Sequence, residues 1–552
     1  MNHNRLFFVF IFSINTFLLS TGFASTSISD GQGIAYYRAG FPQIAKPLLI
    51  SEIETTPSTL AETCYNLGNI YFSENQKDSA EFYFKKGITA NPDNSLNAVG
   101  LTMLKIKSTP DIAEQEFKKL LQLKQNKKDV DIYLAISNAY LFNGVLDQAL
   151  IYQEKAKSIK TKYALVYVVL GDIELAKKNV GNACSNYELA IYYDDKCKEA
   201  YIKYARAYKN ANPSLAIEKL SILKSKEPSF LLADREMADI YYAKNDFAKA
   251  AELYESYLKS GNSNVQDLTK YAFTLFLNGQ FDKSLEVSNL GLAKAPRNPV
   301  FNRLSMYNNV ELKKPNDALK AADLFFNYTD KPEFTFLDYR YYGQAYRDLD
   351  SIYLAIPQYE KAIQLDSTRI ELWKDVSDMY SKKNNYRKSV VAYTKYMNSL
   401  KTEAKTPDVY MQLSKMYYGL GTADTTLNVA DKKSALLKAD SLFGEVALKE
   451  PTVYRGNFWR ARTNSALDPE TTQGLAKPYY EKTAALLETK ADPKYNQILM
   501  ECYSYLGYYL YLQKDYQGSI AILNKNLVLD PTNAKAKKSI EEITKEMMKK
   551  KK

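Results

Sequence analysis

Residues 66–94 read NLGNIYFSENQKDSAEFYFKKGITANPDN, and the spacing of Leu67, Gly68, Tyr71, Ala80, Phe84 and Pro92 within them decides the fold. Leu67, Gly68 and Tyr71 recur at three or four residues, which places them on one face of a helix. Ala80 and Phe84 repeat that pattern after a polar break, so a second helix follows the first. Pro92 falls beyond the second run, where a helix has ended.

With Ala61 as position 1, these residues occupy positions 7, 8, 11, 20, 24 and 32. The same pattern returns from Val130 as Tyr133, Ile136, Ser137, Tyr140, Ala149 and Ala156. From Phe336 it is Tyr339, Tyr342, Gly343, Tyr346, Ala355 and Tyr359. From Ile370 it is Trp373, Val376, Ser377, Tyr380, Ser389 and Tyr393, and from Met500 it is Tyr503, Leu506, Gly507, Leu510, Ser519 and Pro531. The period is 34 residues.

This spacing resembles the tetratricopeptide repeat, whose signature sets W-x2-L-G-x2-Y ahead of a small residue, an aromatic and a proline. About 14 copies are read, starting near residues 26, 61, 94, 130, 164, 198, 231, 265, 299, 336, 370, 407, 452 and 500. They fill residues 25–533. The resemblance implies an all-α, right-handed superhelical solenoid of helix-turn-helix repeats, with a concave face lined by the first helix of each pair. Residues 534–552 place Ile540, Ile543 and Met547 among charges, as a solvating final helix with a lysine-rich tail requires.

The repeat explains individual residues. Small residues at positions 8 and 20 let two helices approach, and position 24 fills the space beside them. Asp78, Asp147 and Asp282 fall at position 18, where a carboxylate caps or complements the start of the second helix. Pro47, Pro357 and Pro478 each follow the position-20 alanine by two residues, and are expected near a first helical turn. The copy near 94 is read as keeping Ala113 and Phe117 only out of register or weakly, and the copy at 198 is one residue short. The copies at 407 and 452 carry insertions, TADTTLNVADKKS and the stretch around LDPETTQG, read as loop padding in preference to recognition elements.

Residues 1–24 read as a cleavable export signal: MNHNR, the apolar run LFFVFIFSINTFLL, then the small residues Gly22 and Ala24. The run is short for a bilayer span, and no cysteine follows it for a lipid anchor. The expected location is the periplasm or cell envelope, with the chain soluble once the signal is removed. Cys184 and Cys197 would be roughly 20 Å apart along one helix, whereas a disulfide needs Cα atoms within about 7 Å. All four cysteines therefore read as free, mostly buried thiols.

Catalysis has little to work with. The single histidine, His3, lies in the signal, which removes histidine-based nucleophilic catalysis and most zinc sites. Neither phosphate-cradling glycine motif is present. The carboxylate pairs Asp194–Asp195 and Glu541–Glu542 read as solvated surface. No enzyme activity and no cofactor are expected. The formal charge is +11, and residues 535–552 alone carry eight Lys and three Glu. The body is only mildly basic, which argues against nucleic acid. Membrane contact is expected to be at most peripheral, through the terminal lysines, which read first as a solvated helix end.

The remaining functional surface is the groove. The family resemblance implies that positions 2, 5, 9, 12 and 13 of each first helix face it. The lysine-asparagine clamp of the chaperone-adaptor members is incomplete here, with Tyr65 and Asn69 in one copy and Leu134 and Asn138 in another. Position 5 of five consecutive copies is Arg235, Thr269, Arg303, Arg340 and Lys374. Their neighbours include Tyr242, Phe273, Phe276, Tyr307, Gln344 and Arg347, with the acids Asp239 and Asp378 at the ends. Cations beside aromatic rings suit an extended peptide with acidic and apolar side chains. The expected protein is a monomeric scaffold binding segments of envelope proteins, with secretion or outer-membrane complex assembly as the processes it would assist. The alternative is a carbohydrate- or cell-wall-binding protein that uses its 46 tyrosines as stacking platforms.

Overall fold

The computed structural model describes residues 31–551 apart from 260, 262 and 263, so the signal read at 1–24 lies outside the described residues. Among the described residues the chain is all helix and turn, without a strand. It divides into two compact units, one ending at Asn308 and the other beginning at Asn309.

The first unit opens with α1 (Gln32–Arg38) and α2 (Pro42–Thr55), then α3 (Leu60–Ser73) with α4 (Lys77–Ala90). Next come α5 (Leu96–Met103) with α6 (Pro110–Gln122), and α7 (Val130–Phe142) with α8 (Leu146–Ile159). They are followed by α9 (Ala164–Ala176) with α10 (Val180–Tyr193), and α11 (Lys198–Tyr208) with α12 (Pro213–Lys226). The unit continues through α13 (Leu232–Ala243) with α14 (Phe247–Leu258), and α15 (Val265–Leu277) with α16 (Phe281–Lys294). The chain crosses into the second unit within α17 (Pro299–Glu311), whose hairpin partner is α18 (Pro315–Tyr328).

The second unit holds α19 (Phe336–Asp348) with α20 (Ile352–Leu365), and α21 (Glu371–Lys382) with α22 (Tyr386–Ser399). Then come α23 (Pro407–Thr422) with α24 (Val429–Lys449), and α25 (Arg455–Leu467) with α26 (Lys477–Glu488). The last pair is α27 (Asn496–Leu512) with α28 (Tyr516–Leu529), closed by α29 (Ala534–Lys551). Within each unit, successive hairpins pack against one another, as a helical-repeat solenoid requires.

The hairpin contact is built from the small position-8 residues. A Cβ on Gly68 would lie 2.3 Å from the Phe84 ring, and one on Gly343 would lie 2.5 Å from Tyr359. Serine at position 8 or 20 bonds across the hairpin in several copies, although Ser414 donates within its own helix to the Tyr410 carbonyl at 2.6 Å. Ser137 Oγ reaches the Ala149 carbonyl at 2.7 Å, and Ser519 Oγ reaches that of Gly507 at 2.7 Å.

Four details differ from the sequence reading. Ala113 and Phe117 are fully buried in register, so the copy near 94 is sound and only its first helix is short. Pro47 and Pro357 lie inside α2 and α20, beyond the first turn, whereas Pro478 does sit at the start of α26. The 407 insertion is not all loop, because Val429–Ser434 extends α24. In the 452 insertion, Asp468 folds the loop around itself. Its carboxylate accepts the backbone N–H groups of Thr472, Gln473 and Gly474 at 3.1, 3.0 and 2.8 Å.

Asp78, Asp147 and Asp282 sit in the first turns of α4, α8 and α16, complementing the helix dipole without capping. True side-chain caps stand at position 16 in other copies, as Asn179, Asp246, Asn385 and Asp515. The last helix buries Ala536 and Ile543, and its Glu546 accepts from the Tyr511 hydroxyl at 2.8 Å.

Candidate partner-binding site

In the first unit, the groove cations and rings stand on α13 (Arg235, Tyr242), α15 (Phe273, Phe276) and α17 (Arg303, Tyr307). Arg235 is not the exposed cation its position suggests. It is buried, with Nε 2.8 Å from Asp267, Nη1 2.9 Å from Glu236 and 3.6 Å from Asp239. A guanidinium at that depth persists only with carboxylates in place of water. Burial pushes Asp239 up, but Lys270 at 2.8 Å and Arg235 outweigh it and hold the carboxyl below its usual range.

The rings in this unit join helices to one another. Tyr307 is buried, 5.6 Å from Phe276, so it is not a groove-facing ring. Phe276 also lies 5.6 Å from Phe281, and Phe273 stacks on it at 6.4 Å. Tyr242 meets Phe247 edge-on at 5.7 Å. Tyr242, Phe273, Phe276 and Arg303 are all half-buried.

In the second unit, Arg340, Gln344 and Arg347 stand on α19 and Lys374 on α21. Arg340 and Lys374 are exposed, and neither forms an ion pair among the described residues. Arg340 lies 5.9 Å from the Tyr341 ring. Arg347 approaches Asp348 at 3.8 Å and the Tyr359 ring at 6.0 Å. Burial pushes the Asp375 carboxyl up, while Arg347, Arg340 and Lys374 act in the opposite direction. Three cations therefore act on one half-buried carboxylate that none of them bonds directly. Asp378, one turn further along α21, is likewise pushed up by burial against Lys374.

Two residues escaped the sequence reading. Asp375 is one. The other is Arg206 on α11, at position 9 of its copy, whose groove position was the available signal. Its guanidinium pairs with Glu236 at 3.0 and 2.9 Å, and Nη1 donates to the Gly40 carbonyl at 2.7 Å.

The four cysteines are free and buried. Among the described residues no cluster of three His, Cys, Asp or Glu side chains could hold a metal. No helix among them is long and apolar enough to cross a membrane.

Paired helices with the same small, aromatic and capping positions define a helical-repeat protein. The chain belongs to the tetratricopeptide repeat family, which it matches at residues 61–94, 130–163, 206–265 and 342–369. It is 31% identical to the C-terminal part of a TPR repeat-containing protein from Cytophaga hutchinsonii, covering 49% of this chain and 97% of that one, with a TM-score of 0.38. A tetratricopeptide repeat protein from Parabacteroides merdae is 16% identical over 45% of this chain and 98% of its own, with a TM-score of 0.30. Pseudomonas aeruginosa PilF is 16% identical over 36% of this chain and 91% of its own, with a TM-score of 0.31. No curated protein matches the chain. Its repeats indicate a protein–protein interaction scaffold.

Proposed function

We propose that this chain is a non-enzymatic scaffold that holds extended segments of cell-envelope proteins along the first helices of its repeats. The observation that carries the reading is the pair Arg340 and Lys374, exposed at position 5 of consecutive copies and without a carboxylate partner. An acidic side chain on a passing segment would meet either cation in a charge-assisted hydrogen bond. Gln344, one turn along α19 from Arg340, supplies an amide for the segment's backbone. The apolar run LFFVFIFSINTFLL supports export to the periplasm or envelope, where the monomeric chain would assist secretion or outer-membrane assembly.

A glycan-binding role has less support, because many of the rings it needs are committed to packing. Tyr152, Tyr187, Tyr201, Tyr204, Tyr254, Tyr257, Tyr359 and Tyr393 are all fully buried.

Capture from envelope extract tests the reading. Reversing Arg340 and Lys374 to Glu should weaken capture of partner proteins more than tenfold, with helicity and melting unchanged. The same reversal at Lys433 and Lys438, exposed on α24, should change capture less than twofold. Equal loss from both pairs would reduce the effect to overall charge. Retention on glycan resin with no captured protein would favour the carbohydrate reading.

A further inference from the structure

The turn between α1 and α2, Ala39–Gly40–Phe41, touches side chains far along the chain in the same unit. Arg206 Nη1 donates to the Gly40 carbonyl at 2.7 Å and lies 3.5 Å from that of Ala39. The Phe41 ring takes the Arg206 guanidinium at 4.1 Å and that of Arg235 at 5.5 Å. Tyr36 meets Phe230 edge-on at 6.0 Å. Tyr36, Ala39 and Phe41 are buried, and they share one apolar cluster with Tyr201, Ile202, Leu232 and Ala233.

The receiving side chains stand at groove positions. Arg206 is position 9 of its copy, and Arg235 is position 5 of the next. Both guanidiniums are held by the Glu236 carboxylate, and Arg235 also by Asp267, which accepts from the Tyr257 hydroxyl at 2.8 Å. The two cations are therefore fixed before any ligand arrives, and desolvation strengthens their attraction to a ring. Gly40 is required at its place: φ is +81°, and a Cβ would lie 2.7 Å from Arg206 Nη1. An ordinary hairpin-on-hairpin contact uses apolar ridges. Here a guanidinium reads backbone carbonyls and two guanidiniums flank a phenyl ring, as a peptide-binding groove does with a bound segment.

We propose that the Ala39–Phe41 turn is an internal ligand that keeps a peptide seat formed by Arg206 and Arg235 closed in the free protein. The partner that displaces it is a protein segment carrying a bulky aromatic residue directly after glycine, with the carbonyls before the ring left free to accept from Arg206. The proposal deepens the scaffold reading and rests on its premise that these helix faces hold peptide segments. It also separates two sites: the seat in the first unit is occupied from within, while Arg340 and Lys374 in the second remain open.

The test uses the full chain and a fluorescent peptide of residues 36–47, YYRAGFPQIAKP. Phe41→Ala weakens the internal ligand without touching the seat. That variant should bind the peptide at least tenfold more tightly than the wild type by anisotropy, and adding Arg206→Ala should abolish the gain. A folded Phe41→Ala chain that binds no better than wild type would overturn the proposal. Hydrogen exchange on the unaltered chain covers the case in which the variant fails to fold. Amides of α1 and α2 should exchange at least tenfold faster than those of α13. Exchange of both only through the same opening would make the turn a fixed part of the core and overturn the proposal. Arg340 and Lys374 play no part in this assay, so loss of partner capture there and failure of the internal ligand remain distinguishable.

Discussion

At the scale of single residues, a hydrogen in place of a methyl decides how closely two helices meet. On Gly171 a Cβ would lie 2.4 Å from the Tyr187 ring, which is fully buried and donates through its hydroxyl to Asp172 at 2.8 Å. The ring cannot retreat without losing that bond. Gly171→Val should therefore cost at least the usual overpacking penalty of about 1–3 kcal/mol, read as a lower urea midpoint. Valine is the better probe than alanine, whose helix propensity would return about 1 kcal/mol. An unchanged midpoint would mean that the two helices separate freely. Such packing residues were legible because a fixed period repeats them. Arg235 was not. It shares position 5 with Arg340, yet one is buried among carboxylates and the other is exposed. The difference comes from Asp267 and from Phe41, a residue far upstream, and a local period carries no trace of such a contact.

At the scale of elements, the hairpins share a turn that no residue type announces. Position 15 is left-handed in copy after copy: Asn75 at φ 60°, Lys178 at 63°, Lys313 at 58°, Asp350 at 54° and Lys514 at 65°, with Gly144 and Gly279 elsewhere. The next N–H then reaches back across the helix end, as Gln76 does to the Tyr71 carbonyl at 2.9 Å and Asn179 to that of Glu174 at 2.9 Å. The helices were legible from their apolar faces. The turn was not, because asparagine, lysine, aspartate and glycine all fill it and only backbone geometry is common to them. Lysine there bears a strain of about 1–2 kcal/mol that glycine does not, against an entropy cost for glycine of about 0.5–1 kcal/mol. Lys178→Gly should raise stability by about 0.5–1 kcal/mol, and Gly144→Lys should lower it by a similar amount. Opposite shifts in the urea midpoint would bear this out, whereas a fall from Lys178→Gly would contradict it.

At the scale of the whole molecule, a chain stacked through phenols and thiols should fail in alkali. Burial pushes Cys184, Cys197 and Cys502 up to about 12 from an ordinary 9.0. Tyr359 rises to about 12 from 10.0, mainly through burial, and Tyr140, Tyr187 and Tyr254 rise further, through burial and then a neighbouring carboxylate. Below pH 9 both folded and unfolded chains keep these protons. Between about pH 9 and 12 the unfolded chain releases them while the folded chain holds them, so unfolding becomes more favourable with each step in pH. Each such group contributes a slope of up to about 1.4 kcal/mol per pH unit, and the groups are spread across repeats in both units. Urea midpoints should be level to pH 8.5 and then fall steeply by pH 10.5. Replacing the three cysteines by alanine will cost some packing at every pH, so the slope is the quantity to compare. Between pH 9 and 10.5 that slope should be shallower in the triple variant, with the tyrosines supplying what remains. A wild-type midpoint still level at pH 10.5 would mean that water reaches the phenols and thiols, and that the hairpins are looser than their close glycine–ring contacts imply.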